Sequence, residues 1–367
     1  MMGGSTAILT GCDVGPRYER PQADIPAAFR ATPESAAAAW PAPGWWRGFR
    51  SPDLDELIAM ARARNFDLAV AAARVRQADA QVRIAGAALF PSLAGSGSAN
   101  WQRVGINTGS SRTRLGGGAT YDLHSYGIGL DAAYIVDFWG QNRATKQAAV
   151  ATAVATRFDQ QTVALTVDTT VASAWFTALA LADRLSVAKE NLSAFEMTLA
   201  AIKGRMAAGT ANALDVAQEE TLVAQVRAVI PNLQGQIEQQ VIGLGILTGR
   251  PPEAITVRPG TLTALSLPLV SPGLPSEVLL RRPDIAAAEA RLVAANFDIK
   301  AARAAFFPTI RLTGSAGFQA AALNALLTPG GTLMSAVAGF TAPLFDGGLL
   351  RGQLEYSKAV YEELIAQ

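Results

Sequence analysis

The residue types that perform most enzyme chemistry are scarce in this 367-residue chain. It has one histidine, His124, and one cysteine, Cys12. A Ser-His-Asp triad needs its histidine placed beside a nucleophile, and a zinc site needs several His and Cys ligands, so neither is supported. The run Gly116-Gly117-Gly118 lacks the lysine of a phosphate-binding loop. The sequence predicts a protein that is not an enzyme and that holds no cofactor or metal.

Cys12 suggests a different chemistry. It closes Leu9-Thr10-Gly11-Cys12, which resembles the lipobox of bacterial lipoproteins. In that motif the thiol takes a diacylglycerol, whose buried methylenes anchor the protein, and the chain is cut just before the cysteine. Residues 1–11 would then be a signal peptide, although they contain no Lys or Arg and make a poor export signal. A chance cysteine at the terminus is the alternative.

Composition narrows the classes further. The net charge of +1 gives no strong attraction to nucleic acid. Half of the residues are hydrophobic but only 7% are aromatic, and much of the rest is alanine, which suits long, closely packed helices. The richest apolar run, 171–182, is shorter than the 18 residues or more that a spanning helix needs, which argues against a helical membrane protein.

One segment occurs twice, at about 64–99 and about 281–316, and a duplicated unit organises the chain. Each copy has an Ala- and Arg-rich helical part, a Phe-Pro stop and a stretch that alternates with period two. The equivalent positions include Asp67 and Asp284, Arg74 and Arg291, Phe90-Pro91 and Phe307-Pro308, and Gly97-Ser98-Ala99 and Gly314-Ser315-Ala316.

The alternating stretches predict four strands in two hairpins, at about 92–103, 122–138, 308–320 and 332–345. One face of each carries apolar residues and the other carries small or polar ones. Membrane-barrel strands have this pattern, and so do half-buried strands of a soluble sheet. Four strands cannot close a barrel, and open edges are not tolerated in lipid. If these strands cross a membrane, several chains must share one barrel.

The first helix is predicted to begin at Ser51-Pro52 with Ser51 as its N-cap, and its buried face is predicted to hold Leu54, Leu57, Ile58 and Ala61. A break in the helical signal is predicted near Asn65.

A long helical hairpin is predicted at about 141–248. Residues 141–205 contain no proline, and at 1.5 Å per residue they predict a helix of roughly 100 Å. A tight turn at Gly209 reverses the chain, and Thr210 or Asn212 caps the return helix. A kink is expected at Pro231. Such helices are typical of a coiled coil or a helical tube.

Several motifs together resemble the outer-membrane efflux lipoproteins of the NodT/OprM type, which are TolC-like outer-membrane factors. The resemblance runs from Cys12 to Gln367. It is carried by the lipobox with Gly15-Pro16-Arg17-Tyr18, by Arg281-Arg282-Pro283-Asp284-Ile285, Ala304-Ala305-Phe306-Phe307-Pro308 and Leu344-Phe345-Asp346-Gly347-Gly348, and by Gly209-Thr210 with Leu214-Asp215-Val216.

This resemblance implies an α+β membrane protein with a TolC-like fold. Each chain of a homotrimer would give four transmembrane strands to a 12-stranded barrel in the cell outer membrane, continued by periplasmic coiled-coil hairpins. The channel would export small molecules such as drugs, toxic compounds or metals. Its partners would be a periplasmic adaptor (membrane fusion protein), an inner-membrane pump of the RND type and outer-membrane lipid. The residues implied to meet the adaptor at the hairpin tip are Arg205, Gly209, Thr210, Leu214 and Asp215.

Strand parity adds Asp131 and Arg311 as candidates that face the lumen. For Asp131, a slip of one residue in register would reverse this assignment. For Asp215, the alternative is a solvated acid in the first turn of a helix, stabilised by the helix dipole.

The resulting division has a signal peptide at 1–11, a lipidated extended arm at 12–50 held by its tryptophans, a first repeat at 51–278 and an incomplete second repeat at 279–367. We expect a second long hairpin to follow the last helix. Asp13, directly after Cys12, makes sorting to the outer membrane less certain. Two alternatives remain open, namely a truncated remnant of an efflux channel and a structural envelope lipoprotein.

Overall fold

A computed structural model describes residues 14–22, 25, 44–106, 119–257, 261–268 and 275–367. The predicted signal peptide, lipidation at Cys12 and the sorting effect of Asp13 lie outside the described residues. The chain forms two compact units, which do not coincide with the two repeats. The first unit holds Met1–Pro21, Ala78–Val154 and Ala288–Gln367, and the second holds Gln22–Gln77 and Ala155–Ala287.

Helices account for most of the described chain. The helices are α1 (Pro52–Arg64), α2 (Phe66–Ala87), α3 (Gln141–Ala207), α4 (Ala213–Thr248), α5 (Pro275–Arg281), α6 (Pro283–Ala304) and α7 (Leu349–Ala366). The predicted long hairpin corresponds to α3, with 67 residues, and α4, with 36 residues. Helix α4 is continuous through Pro231.

The first unit contains one antiparallel sheet, and the four predicted strands are confirmed. They are β1 (Ser92–Ile106), β2 (Ala119–Val136), β3 (Thr309–Ala320) and β4 (Thr332–Thr341), in the spatial order β1-β2-β3-β4. Strand β4 ends four residues before the predicted position of 345. The reason is Pro343, which has no N–H to donate to a ladder. The pairing of β2 with β3 joins the two copies of the repeat.

In the second unit, α1 packs into the core as its sequence predicts. The Ser51 side chain accepts a hydrogen bond from the Leu54 N–H at 3.3 Å, and Pro52 occupies the first helical position. The predicted apolar face is buried, at Leu54, Leu57, Ile58 and Ala61. It meets buried side chains of α3 and α4 that include Val171, Trp175, Leu179 and Leu244.

The break predicted near Asn65 separates α1 from α2. The Asn65 side chain accepts a hydrogen bond from the Leu68 N–H at 3.1 Å and donates one to the Leu247 carbonyl at 2.9 Å. One amide therefore caps α2 and also binds the end of α4, which explains why a polar residue is 95% buried there.

The arm was predicted to be extended, and part of it is not. Residues Trp45–Phe49 form a 3₁₀ helix, and Trp46 within it is buried in the core of the second unit. The predicted anchoring role of these tryptophans therefore holds for Trp45 and Trp46, while Trp40 lies outside the described residues. In the first unit, residues 14–21 have no regular helix or strand, and Arg20 forms an ion pair of 2.8 Å with Glu289.

Among the described helices, α3 has one window of 18 residues with a mean hydropathy of 1.3, enough by length and composition to cross a membrane. About 39% of that window is buried within the protein. The core helix of a soluble protein passes the same test, so the window is weak support for a helical span.

Candidate functional site: a two-faced sheet and a helical turn

The register places every strand residue on one of two faces. In the pairing of β2 with β3, Asp131 lies opposite Ser315 and Ile135 lies opposite Arg311. Residues opposite each other, and residues two apart on one strand, share a face. Asp131 and Arg311 therefore lie on the same face. This polar face also carries Ser92, Ser96, Ser98, Asn100, Gln102, Ser125, Thr309, Thr313, Gln319, Ser335 and Thr341.

Side chains on the polar face bind one another across strands. The Ser96 hydroxyl donates to the Asp131 carboxylate at 2.9 Å. Gln319 Nε2 donates to the Ser125 hydroxyl at 3.0 Å. The hydroxyls of Ser315 and Ser335 are 2.8 Å apart. These bonds link neighbouring strands along a hydrophilic surface, which is interrupted by Val104, Tyr121, Leu123, Ile135, Leu333 and Val337.

The opposite face is apolar and largely uncovered. It carries Leu93, Trp101, Tyr126, Ile128, Leu130, Tyr134, Ile310, Leu312, Phe318, Met334 and Phe340 among alanines and glycines, and Arg103, Asp122 and His124 lie on it toward the far end of β1 and β2. Met334 is 78% exposed and Phe340 is 70% exposed. Tyr126 and Tyr134 are separated along β2 by about 27 Å at 3.4 Å per residue, close to the height of the apolar band of membrane barrels. An apolar face of this size needs a lipid or protein cover.

A close backbone approach holds β2 against β3. Gly129 lies opposite Gly317, and a Cβ added to Gly317 would clash with the Ile128 carbonyl oxygen. The contacted atoms are backbone, which cannot move aside as a flexible side chain can. Sequence reasoning missed this contact, because the contact depends on which strands pair.

At the sheet-to-helix turns, both repeats use an aspartate as the helix cap. The Asp137 carboxylate accepts from the N–H groups of Asn142 and Arg143, each at 2.9 Å, at the start of α3. At the start of α7, the Asp346 carboxylate accepts from Gly348 at 2.9 Å and from Leu350 at 2.8 Å. The Leu350 bond, then the Gly348 bond, lowers the pKa of Asp346 below its usual value.

Aromatic rings join the two repeats at the same end of the sheet. Trp139, just after β2, stacks on Phe307, just before β3, with ring centroids 4.6 Å apart. The Trp139 indole N–H donates to the Pro308 carbonyl at 2.8 Å. Phe307-Pro308 is one of the repeated motifs, so the feature that ends α6 also binds the turn after β2.

The predicted tip residues lie together at the turn between α3 and α4. Gly209 has a φ of +74°, as predicted for the residue that reverses the chain. The Thr210 N–H donates to the Arg205 carbonyl at 2.9 Å, and the Thr210 hydroxyl donates to the same oxygen at 3.0 Å. Leu214 is 64% exposed. The turn is compact, and the side chains of Leu214 and Arg205 are exposed on it.

Asp215 has a structural role in this turn. Its carboxylate accepts from the Asn212 N–H at 3.0 Å, and the Asn212 side chain accepts from the Asp215 N–H at 2.9 Å. This reciprocal capping box identifies Asn212, not Thr210, as the N-cap of α4. Asp215 is therefore an acid in the first turn of α4, as the alternative from the sequence has it, and it also closes a capping box with Asn212.

Within the described part of the chain, no group of three or more His, Cys, Asp or Glu side chains is placed to hold a metal ion. The sheet forms a wall with one apolar and one mainly polar face. Its outer strands, β1 and β4, each pair on one side only. Such a wall can divide an apolar phase from an aqueous one.

Comparison with known proteins relates this geometry to a family. Residues 57–250 and 274–367 match the family described as outer membrane efflux protein. Pyoverdine export outer membrane protein OpmQ of Pseudomonas aeruginosa is 40% identical over 324 residues, which cover 88% of this chain and 67% of that protein. Cation efflux system protein CusC of Escherichia coli is 31% identical over 356 residues, which cover 95% of this chain and 74% of that protein.

Solved structures agree with the sequence matches. The structure of the outer-membrane channel OprN superposes on this chain with a TM-score of 0.88 at 28% identity, covering 97% of this chain and 78% of that chain. The TolC-like arrangement of long helices and a four-stranded antiparallel sheet is therefore confirmed.

Proposed function

The chain belongs to the family of outer membrane efflux proteins, and from this premise we propose that it is the outer-membrane conduit of a tripartite efflux system. The observation that carries the proposal is the sheet with one apolar face, one mainly polar face and two outer strands that pair on one side only. Lipid would cover the apolar face, and water would fill the space beside the polar face.

A single chain cannot complete this wall. Its four strands are too few to close, and an open edge in lipid leaves backbone groups without partners. We propose a homotrimer in which β4 of each chain pairs with β1 of the next, so that three sheets of four strands form one 12-stranded barrel. Asp131 and Arg311 would then face the lumen, because they share the polar face.

The hairpin of α3 and α4 would contribute to the periplasmic tunnel, and its turn would meet the adaptor. Arg205 and Leu214 offer an exposed cation and an exposed apolar side chain for this contact, while Gly209, Thr210 and Asp215 shape the turn. The adaptor would connect the conduit to an inner-membrane pump of the RND type. A diacylglycerol on Cys12 would add a second attachment to the outer membrane.

The solute would be a small molecule that the pump delivers, such as a drug, a toxic compound or a metal ion. The similarity to a pyoverdine export protein and to a cation efflux protein supports this range and does not select one member of it. The conduit itself would carry out no chemical step.

Two neighbouring alanines test the assignment of the sheet faces. Ala132 lies on the apolar face and Ala133 lies on the polar face of the same strand. A lysine exposed to lipid costs up to about 2–4 kcal/mol at the midplane and less near the interface, whereas one in an aqueous lumen costs little. We expect Ala132→Lys to reduce the amount of folded protein in purified outer membranes several-fold, and Ala133→Lys to leave it near the wild-type level.

The amounts are measured by quantitative immunoblotting of outer-membrane fractions, with a heat-modifiability assay for the folded form. Equal losses for both variants would show that the sheet is not a lipid-facing wall. So would a larger loss for Ala133→Lys than for Ala132→Lys.

A further inference from the structure

Ionised side chains are rare on the polar face of the sheet. Among the described strand residues of that face, only Asp131 on β2 has an acidic side chain and only Arg311 on β3 has a basic one. Both side chains are exposed. The other polar residues of the face are serines, threonines, asparagine and glutamine, which carry dipoles but no net charge.

The two charges lie at different heights along the strands. Asp131 is in register with Ser315, and Arg311 is four residues from Ser315 on the same strand, toward the end of the sheet that leads into the helices. Four residues correspond to about 13 Å along a strand. Asp131 accepts a hydrogen bond from Ser96, and within the described part of the chain neither Asp131 nor Arg311 belongs to an ion pair.

We propose that Arg311 and Asp131 are the residues that set the charge selectivity of the barrel lumen, by forming a basic level near the helical end and an acidic level further along. The inference rests on the proposed trimeric conduit, in which each substitution changes three side chains at one level. A solute that enters from the helical end meets the guanidinium groups first and the carboxylates second.

The physical reason is that fixed charges on the wall of a narrow aqueous passage attract counter-ions and exclude ions of the same sign. The screening length is about 10 Å in 0.1 M salt and about 30 Å in 0.01 M salt. At low salt the electric field of each ring of charges therefore extends into the lumen of the proposed 12-stranded barrel. With three charges of each sign, the two levels oppose each other, and the intact lumen discriminates weakly between simple cations and anions.

Because the two levels oppose each other, the two single variants should change the ion selectivity in opposite directions. Arg311→Gln removes the basic level and leaves the acidic one, so the lumen becomes cation-selective. Asp131→Asn removes the acidic level and leaves the basic one, so the lumen becomes anion-selective. In the double variant both levels are absent, and the selectivity returns toward that of the wild type.

The experiment measures the reversal potential of the purified full-length protein in planar lipid bilayers across a tenfold gradient of dilute KCl. We expect each single variant to change the cation-to-anion permeability ratio about two- to tenfold, in opposite directions. Arg103→Gln is the matched control, because Arg103 is an arginine of the same sheet that lies on the apolar face, paired with Asp122 at 2.7 Å. It should leave the ratio unchanged.

The outcomes separate this inference from the proposed function on which it depends. Conducting channels whose permeability ratio is the same in wild type, Arg311→Gln and Asp131→Asn would overturn the inference and leave the conduit standing. A double variant that differs from wild type as much as a single variant does would also overturn it. Failure of folded wild-type protein to conduct would contradict the conduit itself, and the assignment of charge levels would fall with it.

Discussion

At the scale of single residues, one buried charge decides how α1 binds to α3. Asp168 is 2% exposed, and both of its carboxylate oxygens accept hydrogen bonds from Arg62, from Nη2 at 2.6 Å and from Nε at 3.0 Å. The same guanidinium lies 4.4 Å from the ring centroid of Trp46. A carboxylate buried this deeply is tolerated because the bidentate arginine replaces the water that it lost.

Removing the arginine should therefore destabilise the second unit. We expect Arg62→Ala to lower the free energy of unfolding by about 1–3 kcal/mol, between the values for exposed and buried pairs because Arg62 itself is half exposed. Arg64→Ala is the control, since Arg64 is an exposed arginine of the same helix. Urea titration of the purified protein in detergent measures both. Equal effects of the two substitutions would contradict a specific role for the pair.

A second prediction at this scale concerns pH and the start of α7. Because bonds from the Leu350 and Gly348 N–H groups lower the pKa of Asp346, its ionised form stabilises the turn. That stabilisation is fully present above the unfolded pKa of about 4, and it is lost as the pH falls through the lower folded pKa. Hydrogen exchange of the Leu350 amide should be protected at pH 6 and lose protection in strong acid.

The variant Asp346→Ala should expose the Leu350 amide at every pH, because its side chain offers no acceptor. Asp346→Asn keeps one acceptor without a charge and should give intermediate protection that does not titrate through this carboxyl. Protection that is unchanged in Asp346→Ala would show that the carboxylate is not the cap.

At the scale of elements, the sheet is held together by features from both repeats. The pairing of β2 with β3 brings Gly129 against Gly317, and the stacked rings of Trp139 and Phe307 lie at the end of the same pair of strands. A tight backbone contact and an aromatic clamp thus fix the two hairpins as one sheet.

Two glycines of β3 test this junction. A Cβ at Gly317 would clash with the Ile128 carbonyl oxygen and lie 2.7 Å from the Gly129 Cα, whereas a Cβ at Gly314 would have its nearest neighbour at 3.7 Å. We expect Gly317→Ala to separate β2 from β3 and to reduce folded protein in the outer membrane strongly, while Gly314→Ala is tolerated. Heat modifiability on gels measures the folded fraction. A Gly317→Ala protein that folds like the wild type would contradict the close approach.

At the scale of the whole molecule, the sheet has two outer strands that each pair on one side only, and large side chains of its apolar face such as Met334 and Phe340 are exposed. Both features call for further copies of the chain and for lipid. The comparisons agree with this requirement, because the similar proteins are efflux proteins and channels of the outer membrane.

The corresponding prediction is the mass of the assembly. Protein extracted from purified outer membranes in mild detergent should have the mass of three 38.3 kDa chains, after subtraction of bound detergent. Native mass spectrometry, or light scattering with detergent correction, makes the measurement. A monodisperse monomer would contradict the shared barrel and favour the structural lipoprotein considered from the sequence.

The sequence by itself determined the helices and strands and the periodic pattern of apolar residues within them. Period-two alternation identified four strands and their two faces, and the apolar face of α1 could be read from Leu54, Leu57, Ile58 and Ala61. The positive φ of Gly209 and the cap at Ser51 were also predictable. All of these depend on local backbone geometry, which a few neighbouring residues specify.

Only the tertiary structure decided which distant residues meet. Arg62 and Asp168 are 106 positions apart, and Asn65 and Leu247 are 182 positions apart. No pattern of period two or 3.6 relates such positions, because their contact follows from how whole elements pack. The same holds for Gly129 and Gly317, whose approach required β2 to pair with β3 in one register. That register is also what places Asp131 and Arg311 on one face, since a shift of a single residue would have put them on opposite sides.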